Sequence, residues 1–95
     1  MDFGMSNAVH DNTARQRFEM DRNGLTVFAI YERRPSDLVI RYVEAPLPLQ
    51  GTGAAGELMQ GVAEIARAEG RTITPTCGYA RAWLGRHKDY RDLLN

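Results

Sequence analysis

Between residues 46 and 56 the chain reads Pro46-Leu47-Pro48-Leu49-Gln50-Gly51-Thr52-Gly53-Ala54-Ala55-Gly56. No regular element can run through that stretch unbroken. The two prolines prevent a helix upstream of Gln50, because each lacks an amide donor and its ring collides with the preceding turn. The three glycines and two alanines then leave the backbone almost bare. Beyond them, Glu57 to Glu69 is a helix-forming run. A helix starting at this point presents free N–H groups and the positive end of its dipole. Bare backbone at a helix N-terminus suits an anion, most often a phosphate. The plainer reading is a glycine-rich turn before an ordinary helix, and spacing alone does not decide between the two.

Everything before this stretch reads as β-structure. Met1 to Thr13 has little periodicity and is expected as a loose arm, ordered in part near Val9; the arm is placed at 1–14, with one domain over 15–95. Arg17 to Met20 is a short strand. Asn23-Gly24 is the strongest local signal for a two-residue hairpin turn. Leu25 to Glu32, rich in Val, Ile, Phe and Tyr, reads as a strand buried on much of both faces. Arg33 to Asp37 turns the chain again. In Leu38 to Glu44 strict alternation puts Leu38, Ile40 and Tyr42 on one face and Val39, Arg41 and Val43 on the other. Three strands joined by short turns make an antiparallel meander.

Everything after it reads as α-structure with one returning strand. Leu58, Val62, Ile65 and Ala66 recur at helical spacing, widened by Met59 and Ala63, and Gly70 suits the C-terminal cap. Arg71 to Thr74, ending at Pro75, is a strand that follows a helix, so a parallel crossover back into the sheet is expected. Tyr79 to His87 forms a second, shorter helix. The order β-β-β-α-β-α defines an α/β fold with a mainly antiparallel twisted sheet. Its glycine-rich turn lies at a strand-to-helix junction, where ligands bind in open sheets. The stretch is neither a Walker loop nor a dinucleotide fingerprint, because no Gly-Lys-Ser/Thr follows and the glycines are spaced differently.

Composition narrows the partners. Lys plus Arg and Asp plus Glu are 12 each, which argues against a large nucleic-acid footprint. No apolar run reaches membrane-spanning length, and residues 1–16 lack the apolar core of a signal peptide. A single cysteine cannot form an internal disulfide, so Cys77 is expected as a free thiol in a reducing, cytoplasmic setting. No metal site is expected.

Gln50-Gly51-Thr52-Gly53-Ala54-Ala55 fits the pattern Gln/Arg-x-x-Gly-x-Gly/Ala. It resembles the acetyl-CoA loop of the GNAT N-acetyltransferase superfamily. Tyr42-Val43-Glu44-Ala45-Pro46, the Ala-rich helix, Pro75-Thr76-Cys77-Gly78-Tyr79 and the tail Arg86 to Leu94 narrow the likeness. They resemble a small single-domain branch that lacks the first strand and helices of larger relatives. The resemblance implies acetyl-CoA or CoA as cofactor and acetyl transfer to an amine, on a small molecule or a protein. It implies no nucleic acid or membrane partner; the expected state is a monomer or weak dimer. The alternative is a non-catalytic CoA-binding or protein-interaction module. It draws on two departures: Tyr42 stands where the branch usually has histidine, and the tyrosine acid of larger relatives is missing from its aligned position.

Residue by residue, the resemblance assigns the pyrophosphate to Gln50 and the backbone of Gly51, Thr52, Gly53, Ala54, Ala55 and Gly56. Glu44 ends a strand beside the loop and would take a proton from the incoming ammonium; the plainer reading is a solvated strand-end carboxylate. Cys77 begins the second helix, where the dipole favours a thiolate. It is read as a catalytic or slot-lining residue at the acetyl end of the pocket, against a plain apolar filler. His87 would stack near the cofactor or act as a base, against a structural role on the last helical carbonyls. Arg81, Arg86 and Lys88 are candidates for the cofactor's 3′-phosphate. Larger relatives often protonate the leaving thiolate with a tyrosine of the last helix, and alignment through Ala80 puts Leu84 near that position.

Overall fold

The computed structural model describes residues 9–95. Residues 1–8 of the expected arm lie outside the described residues. Five strands form one sheet in sequence order: β1 (His10–Asn12), β2 (Arg17–Arg22), β3 (Leu25–Arg33), β4 (Asp37–Glu44) and β5 (Thr72–Pro75). The first three pairings are antiparallel and β4–β5 is parallel. Helix α1 (Ala54–Ala68) crosses between β4 and β5, and α2 (Gly78–Arg86) follows β5. Short 3-10 turns occupy Leu47–Leu49 and Lys88–Leu93.

The meander forms where local chemistry dictates it. Arg22 pairs with Leu25 across a turn whose central residues, Asn23 and Gly24, have φ of 56° and 78°. Two successive positive φ values match the right-handed twist of the flanking strands. Strand β1 is an addition to the four strands read from the sequence. It holds through its backbone ladder and through Tyr31, whose hydroxyl donates to Asp11 at 2.5 Å. Arg33 completes the clamp, reaching both Asp11 and Glu69 at the end of α1. The Glu69 hydrogen bonds hold the Arg33 guanidinium above its ordinary value, and the same contact lowers Glu69.

One core lies between the sheet and the helices. Phe18, Val27, Ala29, Leu38 and Ile40 pack against Leu58, Val62 and Ala66 of α1 and Ala80 and Leu84 of α2. Helix α1 is an amphipathic helix laid on a sheet face. At its middle Gly61 faces Val9: a Cβ there would lie 2.2 Å from Val9 Cγ2, so only glycine lets the segment entering β1 cross the helix.

The faces of β4 differ from the expected alternation. Ile30 pairs with Tyr42 but Tyr31 pairs with Ile40, so Arg41 is an extra residue in β4. A bulge of this kind shifts the side-chain phase beyond it. Leu38 and Ile40 are therefore fully buried, while Tyr42 turns to the opposite face and is 47% exposed. Val43, expected opposite Leu38 and Ile40, instead packs against their core beside its partner Ala29.

Candidate functional site

Beyond the bulge, β4 and β5 part. Their pairing ends at Ile40 and Pro75, and Thr76 makes the last bond, its amide donating to Ile40 O at 3.0 Å. Pro75 lacks the amide to continue the ladder. The chain then turns through Cys77 into α2, while β4 runs on to Glu44 with, among the described residues, a strand partner on the β3 side only. The gap opens into a cavity of about 460 Å³. One wall is Val43 and Ala45, another is Tyr79 of α2, and the floor is the loop from Leu49 to Gly56.

The loop is shaped by its own residues. The Gln50 side chain donates to Ala45 O at 3.0 Å, tying loop to strand end. Gly51 and Gly53 have φ of 82° and 89°, the left-handed region that favours glycine. Thr52 Oγ1 donates to Leu49 O at 2.5 Å and accepts the Ala54 amide at 3.3 Å. Gly53 is the N-cap, so α1 begins three residues before the expected Glu57. Among the described residues, the amides of Gly51, Gly53, Ala55 and Gly56 donate to no protein acceptor. All four residues line the cavity. Unpaired donors at a helix N-terminus are the arrangement an anion completes.

Gly56 has a second reason to be glycine. A Cβ there would come within 3.3 Å of Trp83 Nε1 and 3.8 Å of the Tyr79 hydroxyl. The bare Cα thus lets α2 lay its indole and phenol against the first turn of α1. Tyr79 has its pKa raised by desolvation, an effect that nearby Arg86 partly offsets. It is a proton donor in the cavity wall that sequence reasoning placed only in a motif. Leu84, the residue aligned with an acid position, is fully buried in the core. The signal that finds Tyr79 is positional: it lies in the first turn after the strand that parts from β4, level with the loop.

The remaining candidates fall outside the cavity wall. Glu44 is exposed and accepts a hydrogen bond from the Tyr42 hydroxyl at 2.6 Å, on the side of β4 opposite Val43 and Ala45. That bond, followed by the carboxylate's charge, raises the Tyr42 pKa. Cys77 is the half-buried N-cap of α2 and packs against the core. It lies where the chain turns from β5 into α2, one residue beyond the Thr76 amide that makes the last bond to β4. His87 closes α2, with Nδ1 2.7 Å from Trp83 O and its ring stacked 3.9 Å from the indole. The structure thus gives His87 a helix-end position. Arg81 donates to Pro75 O at 3.2 Å.

Comparison with known proteins agrees with this geometry. A model of the family described as GCN5-related N-acetyl-transferase matches residues 17–93, and the chain belongs to that family. A GCN5-like protein from Staphylococcus aureus, solved by NMR in solution, superposes with a TM-score of 0.68. The match spans 95% of this chain and 89% of that one at 21% identity, which shows a shared fold. Among curated proteins none matches the sequence.

Proposed function

We propose that the cleft between β4 and β5 binds acetyl-CoA and that the protein transfers the acetyl group to an amine. The observation that carries this reading is the set of four unpartnered amides, Gly51, Gly53, Ala55 and Gly56, lining one cavity at the start of α1. These donors and the helix dipole suit a pyrophosphate, and among the described residues nothing lies within 4 Å of a Cβ placed at Gly51 or Gly53, so the backbone is open to approach. The cofactor supplies an acyl thioester. The unpaired edge of β4 offers backbone groups to an extended chain lying alongside it, as an added strand would.

The residues divide the proton work. Glu44 lies on the face of β4 opposite the cavity wall, so it would take the proton, directly or through water, from an ammonium approaching from that face, leaving the nitrogen lone pair free to form the new N–C bond. Tyr79, in the cavity wall and kept protonated by burial, would hold the proton that a leaving thiolate requires. The cleft holds both reactants in one geometry, which supplies much of the rate. Arg86, in the last turn of α2, is a basic candidate for a cofactor phosphate.

An amide-shift titration with acetyl-CoA and with CoA tests the binding. Shifts should centre on Gly51, Gly53, Ala55 and Gly56; shifts confined elsewhere overturn the loop assignment. Tyr42 in place of histidine favours the second reading, binding without turnover. Acetylation of a panel of amines separates the two, because a binding module gives the shifts and no product.

A further inference from the structure

We propose that the indole N–H of Trp83 is a side-chain donor to the phosphate oxygens of the bound ligand, so that α2 supplies a wall to the anion site whose floor is the start of α1. The inference rests on the acetyl-CoA reading and adds a binding residue to it. Tyr79, Trp83 and His87 follow one another four residues apart, which places them along one face of α2. That face crosses the first turn of α1: a Cβ at Gly56 would lie 3.3 Å from Trp83 Nε1 and 3.8 Å from the Tyr79 hydroxyl. Trp83 is 4% exposed, and among the described residues its Nε1 donates to no protein acceptor. A buried indole N–H ordinarily has a partner, because burying the donor without one costs free energy that packing must offset.

The ring is held so that its donor cannot turn to another partner. His87 stacks on it at 3.9 Å and 17°, and Tyr90 at 5.7 Å and 26°. His87 is itself fixed by the contact of Nδ1 with Trp83 O, and the Tyr90 hydroxyl donates to Glu64 of α1. The indole thus stands as a fixed donor beside the bare Cα of Gly56, and the surroundings specify what it meets. The amides of Gly51, Gly53, Ala55 and Gly56 are donors without protein acceptors on the cavity floor, and the indole adds one from α2. The acceptors of this turn are engaged: Thr52 Oγ1 by the Ala54 amide, Gly53 O by the Glu57 amide, and the Glu57 carboxylate by Arg22. Donors from two helices, with the positive end of α1 among them, suit a group that carries negative charge on several oxygens. A diphosphate has oxygens enough for both floor and wall; a lone carbonyl has not.

Trp83 is the chain's one tryptophan, so its indole N–H gives a single resonance to follow. The probes are inorganic pyrophosphate, CoA, and pantetheine, which is the CoA arm without its phosphates. Pyrophosphate and CoA should each move the indole resonance downfield together with the loop amides, and pantetheine should leave the indole in place. An indole that stays put while the loop amides shift, or one that answers pantetheine and not pyrophosphate, overturns the proposal. Trp83→Phe keeps an aromatic ring and removes the donor. CoA and pyrophosphate should then bind about tenfold more weakly, the worth of one hydrogen bond to a charged group, with pantetheine affinity unchanged. Equal losses for all three probes would mean that the ring only shapes the cleft, and would overturn the donor role. Should that variant unfold, the titration of the parent protein decides alone. The acetyl-CoA reading has its own outcome: an indole and loop that answer pyrophosphate but not CoA uphold the donor and sink the cofactor, whereas loop shifts with CoA and a silent indole do the reverse.

Discussion

Ala55 is the residue at which added charge separates folding from binding. It lies in the first turn of α1 and lines the cavity. Ala55→Glu places a carboxylate where the helix dipole welcomes it, a gain of about 0.3–1 kcal/mol in helix stability. The same carboxylate repels a pyrophosphate. The expected outcome is an unchanged or slightly higher melting temperature with CoA affinity reduced more than about tenfold, read by calorimetry. Asp37 shows the converse, a charge serving the fold. It is 7% exposed, and hydrogen bonds first from Arg34 and then from Thr74 hold its carboxyl below the ordinary 3.8. A depressed folded value contributes stability above the unfolded pKa and loses it as pH falls through the folded one. Asp37→Asn should therefore lower the melting temperature near neutrality, and the difference from the parent should close below about pH 4. A gap that stays constant down to pH 2.5 would mean that packing alone, and no ionisation, accounts for the loss.

At the scale of elements, Gly61 and Arg41 mark what a one-dimensional reading sees and misses. Gly61→Ala should improve the intrinsic propensity of α1 by about 1 kcal/mol. It should also push Val9 off the helix and loosen β1. Hydrogen exchange should then speed up at β1 amides while α1 is unchanged or slower, and Val9→Ala in the same chain should restore β1 protection. The hairpin at Asn23-Gly24, the apolar stripe of α1 and the return of β5 were legible, because each follows from residues close in sequence. The bulge was not. Leu38, Ile40 and Tyr42 alternate without interruption, and only pairing with β3 shows that Arg41 is extra. The start of α1 was hidden for a related reason: Ala54 to Gly56 read as loop, while the left-handed backbone at Gly53 sets the cap. In the candidate site the glycine loop was legible and Tyr79 was not, because its place on the wall depends on how α2 crosses α1 at Gly56.

For the whole molecule, the sheet is continuous from β1 to β4 and complete at β5 only as far as Ile40 and Pro75. The core is built on the continuous part and the cavity on the incomplete part, so substitutions in the loop should spare folding while those at Leu58 or Ile40 should not. That incomplete edge has a cost in handling. From Arg41 to Glu44 one side of β4 carries backbone groups with no strand partner among the described residues, next to an apolar wall, which is how chains begin to stick to one another. Concentrated protein without ligand should drift toward higher species on standing, detectable by light scattering, and saturating CoA should suppress the drift by occupying the seam. If self-association starts elsewhere, CoA will not slow it. Purification and storage are then the first place where the open seam makes itself felt, ahead of any assay.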